Sequence, residues 1–339
     1  MRRDNADRAK PQAARRLRLA SSYLVAGACL AWVFCHIHPR AFLESVRQLK
    51  WPVVALAIAF DNANYASQGI RWSLLLRPLA PVRSLKAIQA TYVGVFTSNV
   101  LPMRFGEIVR AYLVSSWTSK KFAEIIPSMV LEHLFEGIWL TLLLGAAAFL
   151  LPLPAALEKA VKVFGAGVAL LAATCFYFLL QEKRGRGAAE RKSPKLMHKV
   201  EFFLKELTIG IQRIGLSPRF FVGLAATLAS LAFQALALWA VAVACGIELP
   251  LWGAAVVLAI IRVGVTIPNA PANLGAYQFF AALGMELLGV GRSAANGFAL
   301  ILFFVLMIPT WITGFLSLYQ SGTTLIRLQR EARDAAGPD

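Results

Sequence analysis

Of the chain's 339 residues, 58% are hydrophobic and 16% are charged, whereas a soluble domain has about 45–50% apolar and about 25% charged residues. The formal net charge is +17, but the basic residues lie between long apolar runs, which argues against a soluble nucleic-acid-binding protein. The composition therefore predicts an integral membrane protein with no nucleic-acid partner.

Long apolar runs recur along the chain, and a spanning helix needs about 20 mostly apolar residues. The runs cover 19–37, 51–76, 87–114, 122–151, 161–181, 220–245, 251–288 and 294–320. Loops rich in lysine and arginine face the cytoplasm, which places the basic segments 1–18 and 182–219 on that side. Because five runs separate these two segments, one of the five must enter and leave the membrane on the same side.

Two of the runs contain prolines and polar residues that a simple span does not tolerate. The interruptions are Ser98, Asn99, Pro102, Arg104, Gly106, Glu107 and Arg110 in the first run, and Pro268, Asn269, Pro271, Asn273 and Gly275 in the second. We expect both runs to be re-entrant hairpins. The predicted fold is an all-α polytopic membrane protein with about six full transmembrane helices, two re-entrant broken-helix hairpins and both termini in the cytoplasm.

The two interrupted runs share a Pro-x-x-x-Gly pattern, Pro102 to Gly106 in one and Pro271 to Gly275 in the other. The threading brings the first hairpin in from the cytoplasm and the second from outside. This predicts an inverted repeat whose broken helices meet at the substrate site. The predicted organisation is one membrane domain, 19–320, with repeat halves of roughly 51–151 and 220–320, and a cytoplasmic tail, 321–339. The segment 182–219 is expected to form a basic amphipathic helix on the inner leaflet, with a solvated linker as the alternative.

Charged side chains in the first hairpin need a partner or a function, because a charge at the bilayer centre costs about 2.5–3.5 kcal/mol. Arg104, Glu107 and Arg110 follow Pro102 at spacings i, i+3 and i+6, which puts them on one side of a helix. They either form a charge-paired cluster that holds the hairpin in place, or leave an arginine to bind a phosphate through its guanidinium. Gly106 belongs to the same turn and has a structural role.

The second hairpin supplies further candidates for the same site. Pro271, like Pro102, is expected to begin a helix inside the membrane, and the free N–H groups of such a start favour an anion. Arg262 is a candidate second contact for that anion. Asn273 and Gln278 are expected either to cap the broken helix or to bond a lipid head group.

A further cluster, Glu132, His133 and Glu136, follows the first hairpin. We expect these side chains to balance the arginines of that hairpin across the substrate site or to exchange protons, and purely structural pairing stays open. Catalysis is the weakest interpretation, because neither a metal-binding nor a hydrolase motif is present. The sequence therefore predicts no catalytic residue, no metal and no cofactor.

Polar residues also follow one another at helical spacing in the second span. Asp61, Asn64 and Gln68 lie at i, i+3 and i+7 and share one helical face. That face either lines a hydrophilic groove or makes polar contacts between packed helices.

One set of motifs extends over about residues 20–320. It consists of Arg71-Trp72, Leu101-Pro102-x-Arg104-x-Gly106-Glu107-x-x-Arg110, Glu132 with an acid at 136, and Pro271-x-x-Leu274-Gly275. In these motifs the chain resembles the membrane domain of the lysylphosphatidylglycerol synthetase family, also described as flippase-like. The chain departs from the family pattern at His133, Glu136, Ala272, Asn273 and Gln278, which changes the charge balance of the site.

The resemblance implies lipid translocation across the bacterial inner membrane, and we expect no aminoacyl-transferase domain here. The expected substrate is a lipid with an anionic, phosphate-bearing head group, of the phospholipid or polyprenyl-phosphate type. Two alternatives stay open: a membrane-embedded transferase acting on a lipid-linked substrate, and a small-solute carrier. No GxxxG motif indicates an oligomer interface, so the oligomeric state is not predicted.

Overall fold

The computed structural model describes residues 46–100, 106–150, 155–180, 207–266 and 271–322. Within these ranges the protein is all-helical, and no β-strand occurs. The helices are α1 (Trp51–Leu76), α2 (Ser84–Val100), α3 (Gly106–Thr118), α4 (Phe122–Leu150), α5 (Ala155–Leu180), α6 (Pro218–Ala244), α7 (Leu251–Gly264), α8 (Ala276–Leu287) and α9 (Arg292–Gln320). The all-α fold predicted from the composition is therefore confirmed for the described residues.

Four helices, α4, α5, α6 and α9, are long and apolar enough to cross a bilayer. The protein is thus a multi-pass membrane protein. Helix α1 has 26 residues, but it is absent from this set because polar side chains lower its hydropathy. The predicted first span, 19–37, and the basic segment 1–18 lie outside the described residues, so the structure does not test the count of six crossings.

The two interrupted runs each form a pair of short helices. Helices α2 and α3 have 17 and 13 residues, and α7 and α8 have 14 and 12, whereas a spanning helix needs about 20. Within each pair the two helices pack against each other. The segments 101–105 and 267–270, with Pro102 and Arg104, lie outside the described residues.

Glycines allow close packing within both pairs. A Cβ atom on Gly106 in α3 would overlap the backbone carbonyl of Gly94 in α2. A Cβ atom on Gly264 in α7 would overlap the ring of Phe280 in α8. In a membrane, such small residues let helix backbones approach closely.

The predicted helix start at Pro271 is wrong in one respect. Pro271–Asn273 form a 3₁₀ turn, and α8 begins only at Ala276. Ala272 and Asn273 adopt φ values of 58° and 52°, and Gly275 adopts 86°. Because left-handed residues cannot continue a right-handed helix, the chain becomes helical only after Gly275.

The packing of the helices has a two-fold pattern. The contacts of α1 with α2, α2 with α3 and α3 with α4 are matched by contacts of α6 with α7, α7 with α8 and α8 with α9. Between the two sets, α2 packs on α9 and α7 packs on α4, while α1 and α6 pack directly on each other. Each helix of α1–α4 therefore has a counterpart in α6–α9.

Helices α1 and α6 run antiparallel. At one end, the N–H of Lys50, just before α1, donates to the carbonyl of Ala244 at a distance of 3.2 Å. At the other end, Arg71 donates to the hydroxyl of Thr227 at 3.1 Å. The beginning of α1 thus meets the end of α6, and the end of α1 meets the beginning of α6.

Helix α5 has no counterpart in this pattern. It packs on α4 and, less extensively, on α7, and only 6% of its apolar segment is buried inside the protein. The basic segment that follows it, 182–219, is described only from residue 207. There, a short helix covers 207–214, and its Ile211 and Ile214 are buried in a cluster with α4 and α5. The end of this segment therefore packs on the protein.

Candidate functional site

A cavity of about 640 Å³ lies between the α1–α4 group and the α6–α9 group. Both groups line it, and α5 forms part of its wall. Several predicted site residues meet there: Glu107, Arg110, Glu132, Glu136, Arg262 and Asn273. The structure thus brings together residues that are separated by more than half of the described sequence.

The charged residues form a row of alternating sign, here called the ionic row. Its members in order are Glu107, Arg110, Glu132, Arg71, Glu136 and Arg262. The row joins four helices, since α3 supplies the first two members, α4 the two inner carboxylates, α1 the central arginine and α7 the last arginine. Three carboxylates and three guanidinium groups give the row no formal net charge.

The centre of the row is tightly paired. Arg110 lies 2.9 Å from a carboxylate oxygen of Glu107 and 2.6 Å from one of Glu132. Arg71 contacts the other oxygen of Glu132 and lies 3.0 Å from Glu136. Glu132 therefore accepts hydrogen bonds from two arginines, one at each oxygen.

Exposure rises from the centre of the row to its ends. The side chain of Arg71 is 0% exposed and that of Glu132 is 3% exposed, whereas Glu107 and Arg262 are 45% and 28% exposed. Buried charges need ion-pair partners because desolvation is costly, and each central member has two. The Nε atoms of Arg71 and Arg110 are buried without a hydrogen-bond partner among the described residues. Glu107 and Arg262 are the most exposed members of the row.

Arg71 is named in the sequence only as part of a family motif and was not predicted as a residue of the site. Its side chain donates to Glu132, to Glu136 and, at 3.1 Å, to the hydroxyl of Thr227. Next to it, the indole N–H of Trp72 donates to the hydroxyl of Ser128 at 3.0 Å. In the sequence, Arg71 lies near the end of an apolar run, and an arginine in that position usually marks the membrane interface.

Arg110 is held by the close packing of the first hairpin. The absence of a side chain at Gly94 leaves room for the Arg110 stem, which approaches the ideal Cβ position of that glycine to 3.1 Å. The guanidinium lies 4.4 Å from the ring centre of Trp72, a cation–π geometry. With two carboxylates and an aromatic face, Arg110 has its charge compensated within the protein.

Arg262 is the cation of the row with the loosest ion pair. Its guanidinium lies 3.9 Å from Glu136. Its Nε and Nη2 atoms donate to the side-chain oxygen of Gln234 at 3.1 and 2.6 Å. A neutral amide orients the guanidinium without cancelling its charge, so Arg262 presents a positive charge to the cavity. The role of Gln234 was not predicted.

The remaining predicted residues differ in position. Gln278 is buried, and its side-chain oxygen accepts a hydrogen bond of 2.7 Å from the N–H of Gly275, which is the capping alternative of the prediction. His133 and Asn273 line the cavity, and Nδ1 of His133 bonds the carbonyl of Met129 at 2.8 Å. Arg104 and Pro102 lie outside the described residues.

The polar face of α1 divides between the cavity and the protein interior. Gln68 lines the cavity and donates to the side-chain oxygen of Asn64 at 2.9 Å. Asp61 is 3% exposed and bonds Thr310 of α9. Both alternatives for this face are therefore realised, groove lining by Gln68 and a helix–helix contact by Asp61.

Comparison with known proteins identifies the family. The family model described as "Lysylphosphatidylglycerol synthase TM region" matches residues 19–314, most of the chain. No curated protein and no solved structure matches the sequence. The protein belongs to the lysylphosphatidylglycerol synthase transmembrane-region family, as its motifs predict.

Proposed function

We propose that this member of the family is a flippase-like transporter that moves a phosphate-bearing lipid across a bacterial inner membrane. The head group passes through the cavity between the two helix groups, and the acyl or prenyl tails stay in the bilayer beside α5. The substrate class is an anionic phospholipid or a polyprenyl phosphate. The family description names a phospholipid, which supports a lipid as the substrate.

The observation that carries the proposal is that one cavity has two chemically different walls. One wall is the ionic row, with Arg262 and Glu107 at its exposed ends. Another part of the wall is formed by Phe164, Val168 and Leu171 of the lipid-facing helix α5. A lipid matches both walls, because its charged head group can bind the ionic row and its apolar tail can pack on the apolar wall. A small polar solute has no apolar part to pack on that wall.

An inverted repeat explains how such a site can face either side of the membrane. The contacts of α1–α4 are repeated by α6–α9, and the counterparts α1 and α6 are antiparallel. Two halves of opposite orientation suit alternating access, in which one half moves against the other around a central site. We propose that the helix pairs α2–α3 and α7–α8 are re-entrant hairpins of this repeat and that both termini are cytoplasmic.

Arg262 is the proposed contact for the phosphate. It is partly exposed to the cavity, it has a loose ion pair with Glu136, and Gln234 orients its guanidinium. A phosphate oxygen can replace Glu136 as its partner, since guanidinium donors match phosphate geometry. Arg110 is compensated by Glu107 and Glu132, so we propose for it a supporting role.

A transferase function is less well supported. An acid–base role needs a carboxyl group that gains and loses a proton in the reaction. Glu132 accepts hydrogen bonds from two arginines, which stabilise its ionised form. We therefore propose transport without a chemical step on the lipid.

Translocation in reconstituted vesicles tests the proposal. A fluorescent phosphatidylglycerol in the inner leaflet becomes accessible to a membrane-impermeant quencher when the protein flips it. Removing one charge-assisted contact, worth about 1.5–3 kcal/mol, predicts that Arg262→Gln is slower by about tenfold or more. Arg292→Gln removes an arginine that is 53% exposed and paired with Glu286, and this control should flip the lipid at the rate of the wild type.

Two results would contradict the proposal. One is equal acceleration of phosphatidylglycerol by wild type and Arg262→Gln. The other is wild-type vesicles that are no faster than protein-free vesicles, both for this lipid and for a fluorescent polyprenyl phosphate.

A further inference from the structure

Asp61 is a buried carboxyl group outside the ionic row. It lies in the middle of α1, its side chain faces α9, and it is 3% exposed. Its hydrogen-bond partner is the hydroxyl of Thr310, at 3.1 Å. Among the residues that the structure describes, no lysine or arginine forms an ion pair with it.

The arginines of the ionic row form their ion pairs with glutamates of the row and not with Asp61. An isolated ionised carboxylate away from water is strongly unfavourable, and such a group is stable only with a cation or a proton. Asp61 therefore differs from Glu132 and Glu136, which have guanidinium partners.

The hydrogen bonds around Thr310 fit a protonated acid. The Thr310 oxygen lies 2.8 Å from the backbone carbonyl of Leu306 and 3.1 Å from Asp61. A hydroxyl has one hydrogen, which Thr310 can donate to the Asp61 carboxylate or to the carbonyl of Leu306, and the shorter distance favours the carbonyl. Asp61 then needs a hydrogen of its own to bond the Thr310 oxygen, and a protonated carboxyl group supplies it.

A donor for the ionised form is also present. Asn64 lies one turn along α1, and its side-chain N–H group is buried without a hydrogen-bond partner among the described residues. Its oxygen already accepts from Gln68, which lines the cavity. If Asp61 loses its proton, this amide can donate to the carboxylate, and Gln68 connects the pair with the cavity.

The charged and titratable groups that act on Asp61 come from several helices. They are Arg262 of α7, Tyr65 of α1, Tyr92 of α2 and Tyr277 of α8. The tyrosines are neutral at physiological pH. Arg262 is the cation in this set, and it is also the arginine that faces the cavity.

We infer that Asp61 is a proton-binding site, occupied in this conformation, whose proton exchange is coupled to anion binding at Arg262. The coupling rests on the proposed function; the proton site does not. An anionic head group bound to Arg262 neutralises the positive charge of the guanidinium and so favours the protonated form of Asp61. When the head group leaves, the charge of Arg262 again favours ionised Asp61. By thermodynamic linkage, anion and proton bind together.

Infrared spectroscopy of the protein in lipid vesicles tests the proton site without any transport. A protonated carboxyl group has a carbonyl stretching band well above the bands of carboxylates. The wild type should show this band at neutral pH, ¹³C-labelled aspartate should shift it, and Asp61→Asn should lack it. Glu124→Gln, which changes a carboxyl group outside the ionic row, is the control and should retain it.

A second variant gives an independent readout. Thr310→Val removes the acceptor, so the band should remain and move to higher frequency. The inference is overturned if the wild type has no aspartic-acid band between pH 5 and pH 9, or if Asp61→Asn retains it.

Proton uptake tests the coupling. Dihexanoyl phosphatidylglycerol is added to purified wild type in weakly buffered detergent, and a pH indicator records the protons taken up on binding. Wild type should take up protons, whereas Asp61→Asn should bind the probe without uptake. Equal uptake by both proteins overturns the coupling. If neither protein binds the probe, the proposed function fails, while the infrared band still decides the proton site.

Discussion

At the scale of single residues, Glu132 is the member of the ionic row that we expect to contribute most to the stability of the folded protein. It bridges Arg71 and Arg110, and all three side chains are almost completely buried. Neutralising it leaves two guanidinium groups with one carboxylate fewer. Removing one partner of a buried ion pair costs about 3–5 kcal/mol.

We therefore predict that Glu132→Gln lowers the thermal unfolding midpoint in detergent by several degrees. Glu124→Gln is the matched control in the same helix, since the Glu124 carboxylate lies 3.8 Å from Lys120 near the surface, and exposed pairs contribute about 0–1 kcal/mol. Equal midpoints for the two variants would mean that Glu132 is not the bridge that its contacts describe.

The sequence predicted the candidates for the row better than it predicted the row itself. Glu107, Arg110, Glu132, Glu136 and Arg262 were singled out because a charge inside an apolar run is costly. Arg71, noted only within a family motif, and Gln234 were not predicted as site residues, for different reasons. An arginine near the end of an apolar run resembles an interfacial residue. A single glutamine in a span is uncharged, so the cost of burying a charge does not single it out. Which carboxylate meets which arginine depends on how four helices pack, and no local pattern contains that information.

At the scale of helices, the first hairpin depends on two glycines at its crossing. The backbone of Gly106 lies against the carbonyl of Gly94, so any side chain there must push α2 and α3 apart. This movement would displace Arg110, one turn further along α3, from Glu132. The crossing therefore couples the packing of the hairpin to the ionic row.

We predict that Gly106→Ala reduces both the unfolding midpoint and lipid translocation. Gly145→Ala in α4 is the control, because nothing lies within 4 Å of a Cβ atom there and alanine is favoured over glycine in a helix by about 1 kcal/mol. It should keep or raise the midpoint. A Gly106→Ala protein as stable as wild type would refute the close crossing.

Helix positions were largely predictable from the length of the apolar runs. The second span, 51–76, coincides with α1, and both interrupted runs are divided near the predicted prolines. Helix α5 begins at Ala155, whereas the predicted apolar run begins at 161. The additional first turns are polar and face outward, and Glu158 there forms an exposed ion pair with Lys162 at 2.6 Å. The late start of α8 depends on the left-handed backbone of 272–275, which the Pro-x-x-x-Gly pattern alone does not reveal.

At the scale of the whole molecule, the proposed inverted repeat makes a prediction about membrane sidedness. Lys120 follows the first hairpin, and Arg292 follows the second. If the hairpins enter from opposite sides, these two positions lie on opposite sides of the membrane.

We predict that a membrane-impermeant thiol reagent labels Lys120→Cys from the cytoplasmic side and Arg292→Cys from the outside. The unsubstituted protein is the control for background labelling: of its four cysteines, Cys175 is buried, Cys245 is partly buried, and Cys29 and Cys35 lie outside the described residues. Labelling of both positions from one side would exclude the inverted repeat and, with it, the proposed alternating access.

The central claim is that the cavity between the two helix groups holds a lipid by its head group. An electron cryomicroscopy map of the protein in nanodiscs of bacterial lipids tests it most directly. We predict density for a phosphate within hydrogen-bond distance of Arg262, continuous with a tail along Phe164 and Val168. A well-ordered cavity without lipid density, with Arg262 bonded only to Gln234 and Glu136, would contradict the claim.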